Sequence, residues 1–135
     1  MNEPKSNNLE SGHSDGALIY VVDDEPTLLE LTSVILETRG YTIRIFLAAE
    51  SALEAFQAAE PPPALIITDY AMHAMTGMEL VEACRQIRPR QKILLVSGTV
   101  GEEIFHNAQV KPDGFLGKPY QAKQLIDAVE ALLAD

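Results

Sequence analysis

The sequence predicts a doubly wound α/β domain built on a five-stranded parallel sheet, and three observations predict it. Five short apolar runs, rich in Val, Ile and Leu, recur between residues 17 and 117. Segments with the apolar spacing of helices follow the runs, so strand and helix alternate along the chain. Most of the runs do not alternate apolar with polar residues, which is the pattern of strands covered on both faces.

The runs are ALIYVV (17–22), TIRIF (42–46), ALIIT (64–68), KILLV (92–96) and GFLG (114–117). The second alternates, with Ile43 and Ile45 against Arg44, and belongs at a sheet edge. After the first run, Leu28, Leu31 and Ile35 share one helical stripe, with Gly40 placed as a C-terminal cap after Arg39. Leu53 and Phe56 mark a second helix, stopped by the prolines at 61–63. Leu80, Val81, Cys84 and Ile87 make a third, closed by Pro89. Glu102 to Gln109 is read as a short, weakly apolar fourth helix. Leu125, Ile126, Val129, Leu132 and Leu133 form the fifth stripe.

A chain of 135 residues is the size of one ordinary domain. The polar start MNEPKSNNLESGHSDG has no apolar signal region and reads as a flexible tail over 1–16, with the domain over 17–135. No apolar run approaches the roughly 18 residues of a membrane span. The single cysteine, Cys84, excludes an intramolecular disulfide and sits on an apolar stripe, so it reads as a core residue in a cytoplasmic protein. A formal net charge of −10 argues against a general nucleic-acid-binding surface.

Doubly wound sheets place their working sites outside the carboxyl ends of the strands. The first residues past the runs are Asp23 and Asp24, then Asp69, Ser97, and finally Gly117 and Lys118. Three carboxylates crowded together need a proton or a cation to relieve their repulsion. Mg2+ suits an all-oxygen set that keeps room for waters and phosphate oxygens. The His and Cys cluster that zinc favours is missing, since His13, His73 and His106 are scattered and read as tail, loop and surface. Beside such a metal, the Lys118 ammonium and the Ser97 hydroxyl are suited to contact an incoming phosphoryl group while a carboxylate acts as nucleophile. Gly98 is read as leaving space beside Ser97, and Gly117 as permitting close backbone approach.

In order, VVDDEP, IITDYAM, LLVSG and FLGKPY resemble the motifs of the response-regulator receiver domains of two-component signalling. The resemblance runs from about Ala17 to Ala134. It implies a flavodoxin-like strand order of 2-1-3-4-5 and a phosphorylation-dependent switch rather than an enzyme acting on other substrates. By it, Asp69 is the phosphoacceptor, and Asp23 and Asp24 hold Mg2+ with Asp69 and the backbone carbonyl of Ala71. Lys118 contacts the phosphoryl group, Ser97 moves to meet it, Phe115 is the switch aromatic, and the Lys118–Pro119 bond is of a kind often cis. The implied partners are a sensor histidine kinase or a histidine phosphotransfer protein, and a downstream protein or an output domain. A dimer formed on phosphorylation is also consistent with the family.

Two features depart from the family's pattern or bear on it. His73 stands after Met72 where a proline is usual, and Ala71 brings no polar side chain two residues past the acceptor. The alternative from another class is a Mg2+-dependent phosphohydrolase with an aspartyl-phosphate intermediate. That chemistry calls for a second aspartate at position 71. A cofactor binder of flavodoxin type would need a hydroxyl- and glycine-rich loop where this chain has Asp23, Asp24 and Glu25. The output is not written in these residues; the chain is either a stand-alone receiver or a piece of a larger regulator or hybrid kinase.

Overall fold

The computed structural model describes residues 16–134. Residues 1–15 of the expected polar tail, and Asp135, lie outside the described residues. The strands are β1 (Leu18–Val22), β2 (Thr42–Phe46), β3 (Leu65–Asp69), β4 (Ile93–Ser97) and β5 (Gly114–Gly117). They form one sheet in the order β2-β1-β3-β4-β5, and every neighbouring pair is parallel. The alternating run is indeed an edge strand. The central strands β3 and β4 are buried at every residue, which is why each is apolar up to the polar residues at its carboxyl end.

Four α-helices cover the sheet: α1 (Pro26–Glu37), α2 (Ala49–Ala58), α3 (Gly77–Ile87) and α4 (Ala122–Leu133). The pleat sends alternate residues of β1 to opposite faces. Ile19 and Val21 join Leu29, Leu36, Leu125 and Val129 beneath α1 and α4. Tyr20 and Val22 join Phe56, Leu80, Val81 and Cys84 beneath α2 and α3. Cys84 is fully buried, and burial pushes its thiol pKa up to about 11, so it is a core residue and an inert thiol.

The chain stops α1 where Gly40 turns with φ 92°, a left-handed conformation that favours glycine. Thr76 opens α3 through a capping box, its hydroxyl accepting from Glu79 N–H while the Glu79 carboxylate accepts from Thr76 N–H.

Two expectations need correction. The stretch Glu102 to Gln109 is not an α-helix; it holds only a four-residue 3-10 turn, Glu102–Phe105. None of its residues is buried, and its N-cap residue, Gly101, has no side chain to cap it. A short segment with so little apolar surface cannot offset the cost of helix nucleation. The other correction concerns α1, whose buried residues are Leu29, Thr32 and Leu36. Leu28 and Ile35 are only half-buried, and Leu31 is 54% exposed. The helix is apolar on two faces, and the stripe through Leu28, Leu31 and Ile35 is the outer one.

Candidate functional site

The carboxyl ends of β1, β3, β4 and β5 bring the predicted polar residues to one edge. Asp69 is the last residue of β3 rather than the first of a loop, and it is buried. The backbone fixes this edge through Tyr70 N–H to Val96 O at 2.8 Å and Lys118 N–H to Ser97 O at 2.8 Å. Asp23 follows β1, its N–H donating to Phe46 O and its Oδ1 accepting from Glu25 N–H at 3.0 Å. One carboxylate oxygen each from Asp23, Asp24 and Asp69 lies within 4.8 Å of the others. Glu25, the third acid of the run, is exposed and stands apart as the N-cap residue of α1.

Lys118 reaches into this cluster. Its Nζ lies 3.1 Å from Asp69 Oδ1 and 3.3 Å from Asp23 Oδ2. Burial would by itself lower the lysine pKa, but the two carboxylates outweigh it and the net shift is upward. Burial likewise pushes the Asp69 carboxyl up; Lys118 pulls it down, and Asp23 and Asp24 push it up again. At an intermediate dielectric, each pair of like charges at this spacing repels by roughly 3 kcal/mol. One ammonium does not neutralise three carboxylates, so the cluster keeps a deficit of positive charge. A compact set of oxygen donors with that deficit fits a hard divalent cation.

Ser97 is buried, with its hydroxyl turned into its own loop. The oxygen accepts from Thr99 N–H at 3.2 Å and Val100 N–H at 3.1 Å. Gly98 is small for the sake of Lys118: an added Cβ would lie 3.2 Å from the lysine Cβ. Gly117 has no such role, its nearest neighbour to an added Cβ being Ser97 O at 4.0 Å. The Lys118–Pro119 bond is cis. Ala71 lies exposed in the β3–α3 loop, which closes through Gly77 N–H to Tyr70 O at 2.8 Å. Phe115 is half-buried, and its ring packs against Phe105 with centroids 6.0 Å apart.

Comparison with known proteins decides what this edge belongs to. A family model described as the response regulator receiver domain matches residues 19–130. The chain belongs to the response regulator receiver domain family. This receiver domain is therefore a phosphorylation-dependent signalling module. It is 28% identical over 116 residues to the response regulator receiver protein CpdR of Brucella abortus (strain 2308), covering 85% of this chain and 95% of CpdR. It is 29% identical over 121 residues to the sensor kinase CckA of the same organism, covering 89% of this chain but only 13% of CckA. The receiver domain also spans about half the length of DNA-binding regulators it matches. A CheY-like receiver structure from Methanospirillum hungatei JF-1 superposes with a TM-score of 0.80 at 28% identity, covering 87% of this chain and 94% of that one. No helix among the described residues of the receiver domain is long and apolar enough to cross a membrane.

Sequence reasoning missed two residues of the receiver domain's site. Gly77, at the start of α3, lies directly under the end of β3: an added Cβ would stand 2.4 Å from Asp69 O and 2.8 Å from Leu95 Cδ1. Its only signal was its place after a capping threonine. His73 also proves to be near the acids, with Nδ1 3.5 Å from Asp24 Oδ2, whereas His106 lies exposed just past the 3-10 turn. Nothing in the spacing of the histidines announces that proximity, because it depends on the path of the β3–α3 loop.

Proposed function

We propose that this receiver takes a phosphoryl group from a sensor histidine kinase or a histidine phosphotransfer protein onto Asp69. The observation that carries the reading is the Lys118 ammonium, held between Asp69 and Asp23 at 3.1 and 3.3 Å within the acidic cluster. An Asp69 oxygen forms the new bond to phosphorus as the bond to the donor nitrogen breaks, and the leaving imidazole takes a proton. Lys118 then offsets charge on the phosphoryl oxygens. Asp23, Asp24, Asp69 and the Ala71 carbonyl would hold Mg2+, which when bound supplies positive charge beside those oxygens. The domain thereby promotes only its own phosphorylation and dephosphorylation, and its place is the cytoplasm. Acetyl phosphate with Mg2+ should add one phosphoryl group, read by intact mass, and EDTA should suppress the addition by at least about tenfold. Equal uptake in EDTA would remove the metal from the reading.

For the donor's docking surface, the support is a groove of about 670 Å³ beside the site, between α1 and the segment after β5. Leu28, Leu31 and Ile35 line one wall, and Pro119 and Tyr120 the other. Thr32 is tied to Tyr120 across its floor, hydroxyl to hydroxyl at 3.3 Å. Leu31→Arg should slow transfer from a cognate kinase by at least about tenfold, in the range of an interface anchor residue. Uptake from acetyl phosphate should stay within about twofold, since Leu31 does not touch the acids. Equal slowing of both reactions would place the defect in the site instead.

Switching would follow from Ser97. Its hydroxyl can donate to a phosphoryl oxygen only if the loop holding Thr99 and Val100 comes with it. A hydrogen bond to a charged group contributes roughly 1.5–3 kcal/mol, enough to shift a two-state equilibrium by about one to two powers of ten. The displacement would loosen the contact of Phe115 with Phe105 and reshape the face around the 3-10 turn, which a downstream partner would read. With beryllofluoride, a phosphoryl mimic, amide signals over 98–117 should move in the parent protein and stay still in Ser97→Ala. Changes confined to the acidic cluster would count against the coupling.

A further inference from the structure

We propose that Thr32 and Tyr120 are positioning residues, whose hydroxyl contact ties the segment carrying Lys118 to α1 and so fixes the lysine beside the acceptor. The inference rests on the reading of Asp69 and Lys118 as the reacting pair and deepens it. Thr32 is 5% exposed on the sheet-facing side of α1, in line with Leu29 and Leu36, where an aliphatic residue would pack as well. A buried hydroxyl needs a partner, and Thr32 Oγ1 stands 3.3 Å from Tyr120 Oη across the groove. Tyr120 reaches it from the segment after β5, its ring packed against the core beneath α1 and α4.

The two residues stand on two arms that meet at the acidic cluster. One arm is β1 with α1: Asp23 and Asp24 lie between them, and Asp23 Oδ1 accepts from Glu25 N–H at the foot of the helix. The other arm leaves β5, where the Lys118 N–H is anchored on Ser97 O at 2.8 Å and Tyr120 follows two residues later. Pro119 between them has a fixed φ, so a shift of Tyr120 is passed on to Lys118. The arms are tied inside the site by Lys118 Nζ to Asp23 Oδ2 at 3.3 Å, and outside it by Thr32 to Tyr120. A groove of about 670 Å³ parts them elsewhere, so side-chain packing does little to set their spacing.

Phosphoryl transfer weakens the inner tie. As Lys118 turns its charge from the Asp23 oxygen to the phosphoryl oxygens, the outer tie is left to hold the arms together. At 3.3 Å that contact is longer than the roughly 2.5–3.0 Å of an ordinary O–H···O bond, so it has room to shorten as the lysine is drawn in. An interaction that strengthens toward the transition state raises the rate of the step rather than the affinity for the donor.

The test follows uptake from acetyl phosphate with Mg2+ in the full 135-residue chain, reading the rate at saturating donor and the donor concentration that gives half of it. Thr32→Val and Tyr120→Phe should each lower the saturating rate by about three- to tenfold, the effect of a small misplacement, and leave the half-saturating concentration within about twofold. The double variant should be no slower than the slower single one, because both changes remove the same contact. Thr32→Ser keeps the hydroxyl and should stay within about twofold of the parent. Losses that multiply in the double variant, or a Thr32→Ser as slow as Thr32→Val, would overturn the inference. Hydrogen exchange of the Lys118 amide, measured with no phosphoryl donor present, reads the anchor alone. It should quicken by at least about threefold in both single variants and no further in the double. Unchanged exchange would overturn the tie, and this result stands by itself if Asp69 fails as the acceptor.

Discussion

Asp69→Asn should take up no phosphoryl group from acetyl phosphate under conditions that fully modify the parent protein. The amide keeps the shape of the carboxylate but has no anionic oxygen, and its nitrogen lone pair is delocalised into the carbonyl, so neither atom is a competent nucleophile. At least a thousandfold loss of rate is expected, a barrier higher by about 4 kcal/mol. Intact mass after incubation with Mg2+ reads the outcome directly. The fold should survive. Burial holds the Asp69 carboxyl above its ordinary range, so ionising it in the folded state costs stability as pH rises from 3.8 through the raised value. The neutral amide removes that cost, and against it Lys118 loses one of two partners while keeping Asp23 at 3.3 Å. The thermal midpoint should therefore change little, by the equivalent of about 1 kcal/mol or less. Modification of the variant at the parent's rate would move the acceptor to another residue.

The second large effect comes from a residue with no chemistry of its own. Gly77→Ala places a methyl 2.4 Å from Asp69 O, 2.8 Å from Leu95 Cδ1 and 2.9 Å from Tyr70 Cα. Two of these neighbours are backbone, so no rotamer change relieves the overlap. Overpacking of a core typically costs about 1–3 kcal/mol, and a clash against the main chain belongs at the upper end or beyond. Because the backbone that must yield carries Asp69, the variant should lose phosphorylation rate as well as stability. Urea denaturation and acetyl phosphate uptake would measure the two losses. A variant as stable as the parent and equally reactive would mean that α3 can slide away from β3 at little cost. Gly101→Ala is the contrast: its close neighbour is the Glu103 carboxylate at 2.6 Å, the far end of a flexible side chain.

The sheet was legible in the sequence because β3 and β4 are buried on both faces and stay apolar until the polar residues at their carboxyl ends. The site was legible for a related reason. Parallel strands end together, so the first polar residues after each run, Asp23, Asp69, Ser97 and Lys118, share an edge whatever the loops do. The inner face of α1 was not legible. Leu28, Leu29, Leu31, Val34, Ile35 and Leu36 cover more than half of its circumference, and periodicity alone cannot choose which side meets the sheet. The stretch after β4 misled for a different reason: Ile104 and Phe105 suggested a helix, but nothing beneath them is deep enough to hold one. Gly77 and His73 depend on the path of the β3–α3 loop, and loop paths are set by contacts distant in the chain.

The parallel pairing also dictates an order of events during synthesis. Ile19 pairs with Leu65, so β1 meets its inner neighbour only after α1, β2 and α2 have been made. Until β3 leaves the ribosome, β1 and β2 can form at most a two-stranded ribbon open along β1 as well as along β2, and such a ribbon is marginal in water. The β1 edge belongs to the strand of Ile19, Val21 and their neighbours, the more apolar of the two and a ready template for mispairing. The three prolines at 61–63, just before β3, fall at the point where translation brings the wait to an end. The first half of this protein thus carries an unsatisfied apolar strand until the second half supplies its partner.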